Sequence, residues 1–482
     1  MAATACAAAV NAGKAVRYLS RALGRGGGTA LPGRIAARID PDLVGTLAAR
    51  LPNGCVLVTG TNGKTTTTRI LAEAARAAGL QVVTNPEGAN MLSGIATALL
   101  STANSAGELI VAPSAIGIFE VDEGALRSAI EALNPRLVVI TNLFRDQLDR
   151  YFEVDFVARL WQRALQLLPS TATLVLNADD PQVAFLGEDV QARVVCFGLD
   201  DRQWARPGLE HAADSRRCPK CTRDLMYELS FYAHLGHYAC SECGWRRPDP
   251  RFSAWKVQLR GVEGSQSQVS TPAGDRLFEV PLPGLYNACN ALAAAAAASC
   301  LGINPELVQA AAQETAGAFG RFERVRVGDK QAVLLLVKNP SGFNESLRLV
   351  LSGDAPARLL IGLNDNGPDG RDVSWIWDVD FEMCHGRAAY LAASGERARD
   401  LALRFKYAGL LGEPGAPPVQ PAGPVDEDII RAFFTAMDGT PPGEPLYMLA
   451  SYTSLWTLRR ELVQRGHLAP FWQQTRPERN VA

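Results

Sequence analysis

The stretch Val56 to Ile70, VLVTGTNGKTTTTRI, runs from an apolar segment through a glycine and threonine turn to a lysine, and then into a helical pattern. In such a turn the backbone N–H groups of Gly60, Thr61, Asn62 and Gly63 converge with the first N–H groups of a helix, which makes a site for an anion. Lys64 adds a full positive charge. Thr65 offers a hydroxyl to Mg²⁺, and Thr66 extends the run into the helix. The usual phosphate loop opens on a glycine where this chain has Val58, so the match is to a variant of that loop. It predicts the binding of nucleotide phosphates.

A second cluster is built from sulfur. Cys218-x₂-Cys221 is followed, after eighteen residues, by Cys240-x₂-Cys243. This spacing lets two tight knuckles present four thiolates tetrahedrally to Zn²⁺. Four sulfur ligands leave the metal no open position, so the ion is expected to staple an insertion rather than do chemistry. The insertion is therefore expected to act apart from the nucleotide site. His234 and His237, between the knuckles, read as surface packing.

Carboxylates supply the remaining candidates. In IFEVDEG, Glu120, Asp122 and Glu123 close an apolar run, where a carboxylate can hold the Mg²⁺ that bridges nucleotide phosphates. In TNLFRDQLDR, Asn142, Asp146 and Asp149 follow another such run, and Asp149 reads as a helix cap.

The elements that must position these residues alternate. From Cys55 to about Val195, strand-like runs (VLVTG, LQVVT, IGIFEVD, RLVVITN, ATLVLNADD, ARVVCFG) alternate with helical stretches. This predicts an α/β domain with a doubly wound, parallel-rich sheet and ligands at the strand C-terminal ends. The polar tails GTNGKT, EVDE, TNLFRDQ and NADDP would meet in one crevice. Residues 216–247 interrupt the pattern as the insertion. After an alanine-rich helix, YNACNALAAAAAASCLG, a second α/β region begins near Gly320, with strands AVLLLVKN, ARLLIGLND, AAYLAAS and PLYMLASY and a Pro/Gly loop, GEPGAPPVQPAGPVD. The predicted divisions are an N-terminal helical segment 1–54, a nucleotide-binding domain 55–318, and a second, Rossmann-like α/β domain 319–482.

Composition narrows the classes. Forty-eight basic residues against fifty acidic ones leave a net charge of −2. That balance gives no support to a broad surface for nucleic acid, which needs phosphate neutralisation. The N-terminus carries Lys14, Arg17, Arg21 and Arg25 at helical spacing after a small apolar run, opposite to a secretory signal, and they read as a solvated helix face. No segment gives about 18 uninterrupted apolar residues, and the expected location is cytoplasmic. Ten cysteines without a signal argue against a disulfide framework.

The motifs GTNGKTTT, EVDE, TNLFRDQLD, NADDP, GLYNACNALAA and GRFERV resemble the ATP-binding central domain of the Mur ligase family, from Cys55 to about Val325. That resemblance implies that ATP phosphorylates a carboxylate and an amine attacks the acyl phosphate. It implies that Lys64 and Thr65 serve the phosphates and Mg²⁺, that Glu120 binds Mg²⁺, that Asn287 and Asn290 hold the adenine side, and that Arg321 contacts phosphate. Two departures stand out. The phosphate loop begins at Gly60, which leaves no room for the family's UDP-gripping N-terminal domain, and Gln147 stands where the family usually carries His.

The Cys₄ insertion and the stretches KNPSGFNESL, LNDNGPDGRDVSWIWDVDFE and SGERARDLALRFKYAG narrow the resemblance to the ligase-like subunit of a two-subunit synthase in that family. It implies amidation of the D-glutamate α-carboxylate of the lipid-linked peptidoglycan stem peptide at the inner face of the membrane. Ammonia would come from a partner in a heterodimer, a glutaminase of the class I glutamine amidotransferase, GatD-like type. None of the six cysteines outside the ribbon sits in a Gly-x-Cys-x-Gly elbow, so the chain carries no glutaminase of its own. The resemblance further implies that the acid orienting the glutaminase histidine belongs to the ligase-like subunit. By position it is Asp372, with Asp369 and Asp378 in reserve and Trp375 and Trp377 as apolar anchors.

Two other readings compete. Arg216, Arg217, Lys220, Arg223, Arg246 and Arg247 decorate the ribbon as in a nucleic-acid-binding protein, and a folate polyglutamate synthetase would share the phosphate loop. The Cys₄ insertion argues against the latter.

Overall fold

The computed structural model describes residues 2–22, 29–85, 88–146, 154–315, 321–410 and 422–469. The chain forms two compact units that divide after residue 316, except that residues 146–150 belong with the second.

The first unit carries β1 Cys55–Thr59, β2 Val82–Val83, β3 Ile116–Glu120, β4 Leu137–Ile140, β5 Thr173–Asn177, β6 Arg193–Leu199, β7 Met226–Tyr232, β8 Leu235–Ala239, β9 Phe252–Leu259, β10 Ser265–Thr271 and β11 Gly274–Val280. Nine of them form one sheet in the order β11-β10-β9-β6-β5-β4-β1-β3-β2, and β7 with β8 makes a separate hairpin. From β2 to β9 the neighbours are parallel, and β10 and β11 close that side as an antiparallel meander. The alternation read from the sequence ends with β6, and the sheet continues beyond it through β9 into the meander.

β1 shows why the apolar runs become central strands. Every residue of Cys-Val-Leu-Val-Thr is buried. Val56 and Val58 point into one core, while Cys55 and Leu57 point into the core on the other face. A parallel strand covered on both faces has no polar side, so its sequence is a continuous apolar run. The strand order reverses at β1, between β3 and β4, and this places the crevice for ligands at their C-terminal ends.

Helix Lys64–Ala77 starts at that crevice. Behind it lies Leu285–Cys300, in which the alanine run is buried nearly throughout. Alanine adds no bulk, so this helix approaches both the phosphate-loop helix and the sheet closely.

Among the described residues three helices precede β1, namely Ala2–Ala22, Leu31–Ile39 and Leu43–Ala48. Lys14 donates to Ala103 O and Arg17 to Ser101 Oγ, at the C-terminal end of helix Leu92–Ser101. These two cations therefore complement the negative end of a helix dipole rather than forming the free solvated face expected from the sequence. The Arg21 side chain and Arg25 lie outside the described residues.

Among the described residues the second unit has six strands: β12 Arg321–Val327, β13 Lys330–Leu336, β14 Ala357–Gly362, β15 Ala388–Ser394, β16 Ala422–Asp426 and β17 Pro445–Ala450. Their order is β12-β13-β17-β14-β15-β16, with β12 antiparallel and the others parallel. Arg459 holds Glu323 of β12 with two hydrogen bonds, Nε to Oε2 at 2.9 Å and Nη2 to Oε1 at 3.0 Å, with side chains only 5% and 13% exposed. Removing one member of so buried a pair strands the other charge, which costs about 3–5 kcal/mol. Arg459→Ala should therefore lower the urea midpoint of this unit clearly, and an unchanged midpoint would refute the role given to the pair.

Candidate active site

The phosphate turn depends on two glycines. Gly60 and Gly63 have φ of +133° and +88°. A Cβ on Gly60 would stand 2.1 Å from Thr141 Oγ1, and one on Gly63 would stand 2.0 Å from Asn290 Oδ1. Conformation and space both exclude a side chain at either position.

Residues at the end of β4 hold the turn in shape. Asn62 N–H donates to Asn142 Oδ1 at 2.8 Å, and Asn142 Nδ2 donates back to Asn62 O at 3.0 Å. Thr141 Oγ1 also donates to Asn62 O, at 2.6 Å. Thr61 Oγ1 donates to Phe144 O at 3.0 Å and accepts from Phe144 N–H at 2.9 Å. The sequence marked Asn142 as a strand-end polar residue but did not show this clamp.

Lys64 lies inside this frame. Its ammonium donates to Gly60 O at 2.6 Å and to Glu123 Oε1 at 2.9 Å, with both side chains under a tenth exposed. Trp161 Nε1 donates to Glu123 O at 2.9 Å and fixes the backbone that carries the carboxylate. The three acidic residues after β3 thus divide their work. Glu123 pairs with Lys64, and Asp122 accepts from Gly124 N–H at 3.1 Å as a cap. Glu120 lines, together with Thr65, a cavity of about 120 Å³ beside the turn. Asn85 bonds the backbone of Glu120 in both directions, at 3.0 Å each. A carboxylate and a hydroxyl lining one cavity are the hard oxygen donors that suit Mg²⁺.

Asn287 and Asn290 sit near the start of helix Leu285–Cys300, both buried. Asn290 Nδ2 donates to Asn287 Oδ1 at 3.1 Å, and Asn290 O accepts from Thr67 Oγ1 at 3.4 Å. The structure thus brings them to the back of the phosphate turn. Arg321 opens β12 in the second unit, and its side chain is outside the described residues, as are Gln147 and Asp149. Asp146 belongs with the second unit and pairs with Lys338.

The four cysteines converge as their spacing predicts. Their Sγ atoms all lie within 4.8 Å of one another. The knuckles match each other: Thr222 N–H bonds Cys218 O at 2.8 Å and Gly244 N–H bonds Cys240 O at 3.0 Å. The backbone N–H of Cys243, with that of Glu242, pulls the Cys240 thiol down to about 7. Burial pushes Cys218 up to about 12, a cost that a dication removes by taking the thiolate directly.

Two expectations about the insertion are corrected. His234 is fully buried, not a surface residue. Its Nδ1 accepts from Asp214 N–H at 3.2 Å, its Nε2 lies 3.4 Å from Asp180 Oδ2, and its ring packs on Phe144 at 4.7 Å. His237 Nε2 is 2.8 Å from Leu199 O. Nor does the insertion stand apart. Asp180, in NADDP, caps helix Pro181–Phe185 and accepts from Leu143 N–H at 2.7 Å, directly behind the phosphate-turn clamp. Arg247, counted above among the basic ribbon residues, is buried against Asp179 at 2.8 Å. Burial pushes the Asp179 carboxyl up, and the Arg247 charge opposes that.

In the second unit, Asp372 is exposed and its Oδ1 accepts from Ser374 N–H at 2.8 Å. Hydrogen bonds from Ser374 hold its carboxyl below the usual range. Asp369 is buried and bonds Thr453 through both oxygens. Trp375 is buried against Phe343, whereas Trp377 is 45% exposed and meets Tyr407 edge-on.

Residues 58–228 match the Mur ligase middle domain and residues 336–455 the MurT ligase C-terminal domain. Over 455 residues the chain is 33% identical to the lipid II isoglutaminyl synthase (glutamine-hydrolysing) subunit MurT of Streptococcus pneumoniae, covering 94% of this chain and 96% of that one. The chain belongs to the MurT family. The subunit MurT of Staphylococcus aureus is 32% identical over 433 residues, covering 89% of this chain and 92% of that one. A solved MurF from Acinetobacter baumannii superposes with a TM-score of 0.64 at 17% identity, over 89% of this chain and 80% of that one, and shares the Mur ligase fold. As a member of the MurT family, the chain is a carbon–nitrogen ligase, and neither competing reading is favoured.

Gly63→Ala should abolish nucleotide binding while the chain still folds, which calorimetric titration with ATP and circular dichroism would show together. Wild-type affinity would refute the close approach at Asn290. Cys218→Ser or Cys240→Ser should release one Zn²⁺ per chain and lower the melting temperature by several degrees. Metal analysis that finds no zinc in the intact protein would overturn the assignment.

Proposed function

We propose that this chain is the ATP-using subunit of a synthase that converts the D-glutamate α-carboxylate of the lipid II stem peptide to D-isoglutamine. The observation that carries this reading is the placing of Lys64, Thr65 and Glu120 around one phosphate turn, in a chain that aligns end to end with the MurT subunits.

The roles follow from the chemistry of the site. The main-chain N–H groups of residues 60–66 hold the ATP phosphates, and Lys64 balances their charge. Thr65 and Glu120 would hold Mg²⁺, whose charge would offset that developing on the transferred phosphoryl group. A substrate carboxylate oxygen attacks that phosphorus, ADP leaves, and an acyl phosphate forms. Ammonia then attacks the acyl carbon and inorganic phosphate departs. Asn287 and Asn290 are assigned to the adenine side and Arg321 to a phosphate contact, each by its place in the family motifs. The four cysteines hold a structural Zn²⁺.

Ammonia comes from a GatD-like class I glutaminase bound as a heterodimer, and Asp372 orients that enzyme's histidine. Its exposure and lowered pKa support the choice, because an orienting acid must reach a partner as a carboxylate. Asp369, buried and engaged by Thr453, is less available. Among the described residues no helix is long and apolar enough to cross a membrane. The meeting with the lipid-linked substrate at the inner face of the membrane rests on the family resemblance.

Lys64→Ala and Glu120→Ala should each abolish amidation even when ammonia is supplied. Asp372→Asn should instead cut glutamine-dependent amidation by a factor on the order of 10²–10⁴ and leave ammonia-dependent amidation intact. Equal loss of both activities in the Asp372 variant would place that residue in the synthetase reaction.

A further inference from the structure

The cavity beside the phosphate turn continues along the flank of helix Lys64–Ala77. Thr65, Thr68, Arg69 and Arg76 line one wall, and Asn85 and Glu120 stand opposite. The helical repeat puts these positions on one flank, while Gly63 and Thr67 face helix Leu285–Cys300 through Asn290. The cavity therefore runs away from the side assigned to adenine. Its phosphate end holds Thr65 and Glu120. Its far end, eleven residues along the helix and so about 16 Å distant, holds Arg76.

Two features mark this flank as a binding surface. Arg69 and Arg76 both border it, and Arg76 is steadied by Glu73 at 2.7 Å, one turn back. Thr68 is 6% exposed, yet its hydroxyl has no hydrogen-bond partner among the described residues. A helical threonine usually satisfies its hydroxyl on the carbonyl one turn earlier, and a buried hydroxyl without a partner is costly. A ligand in the cavity would supply that partner.

We propose that this flank is the acceptor subsite: the carboxylate to be activated lies at the Thr65–Glu120 end, and Arg69 and Arg76 hold a second oxyanion of the same acceptor. Guanidinium groups pair with carboxylate and phosphate alike, so the second anion is either a further stem-peptide carboxylate or the pyrophosphate of the lipid linker. ATP does not need these arginines, because its phosphates are served at the helix N-terminus, about three turns from Arg76. The proposal rests on the amidation reading above.

The test uses the chain with its glutaminase partner, with ammonia supplied at saturation. Arg69→Gln and Arg76→Gln should each raise the acceptor KM by about 10-fold or more. ATP affinity and kcat at saturating acceptor should stay within about 3-fold, and Arg→Lys should recover part of the loss. Thr68→Val should raise the acceptor KM without lowering the melting temperature, a split that a merely structural hydroxyl would not give. Repeating the assay with a phosphate-free muramoyl pentapeptide identifies the anion: a retained effect assigns it to a carboxylate, and a lost effect to the pyrophosphate. An unchanged acceptor KM, or ATP affinity falling in parallel, overturns the proposal. Absence of amidation by the wild-type protein would instead refute the reaction itself, a distinct outcome.

Discussion

The reciprocal hydrogen bonds between Asn142 and Asn62 fix the conformation on which the nucleotide site depends. A glycine turn is permissive by nature and loses much entropy on ordering. Here the protein's own contacts supply that ordering, because Thr141, Asn142 and Phe144 bond the turn from one side and Asn290 packs against it from the other.

Electrostatics sorts the three acidic residues at the end of β3. They lie within four positions of one another, yet each meets a different partner. Glu123 neutralises Lys64 in a buried pair, Asp122 satisfies a backbone donor, and Glu120 alone borders the cavity. Glu120, whose Oε1 accepts from Asn90 Nδ2 at 3.5 Å, is the carboxylate proposed to hold the cation.

Much of this was legible in the sequence, for identifiable reasons. Parallel strands buried on both faces must be apolar throughout, so β1 to β6 show as plain runs. The phosphate turn and the Cys₄ set depend on local spacing, which survives in one dimension. What stayed hidden depends on partners far apart in the chain. Glu123 looked like one of three acids until the fold brought it against Lys64, 59 positions away in the sequence. Asp180 looked like a strand-end carboxylate, and His234 like surface, until the β7–β8 hairpin brought them together behind Leu143. The β10–β11 meander was missed because half-polar strands lack the continuous apolar signal. Asp372, by contrast, shows little beyond its exposure in this chain, because the role proposed for it lies with another polypeptide.

The phosphate turn is also assembled from parts synthesised at very different times. Asn142 follows Asn62 by 80 positions, and Thr67 waits for the carbonyl of Asn290, 223 positions later. Closing such loops adds entropy cost only slowly with length, but it imposes an order, since no contact forms before both partners exist. A nascent chain therefore owns the glycines, the lysine and the helix long before it owns the residues that hold them still. The hold on the turn is therefore completed only once the chain has grown past Asn290.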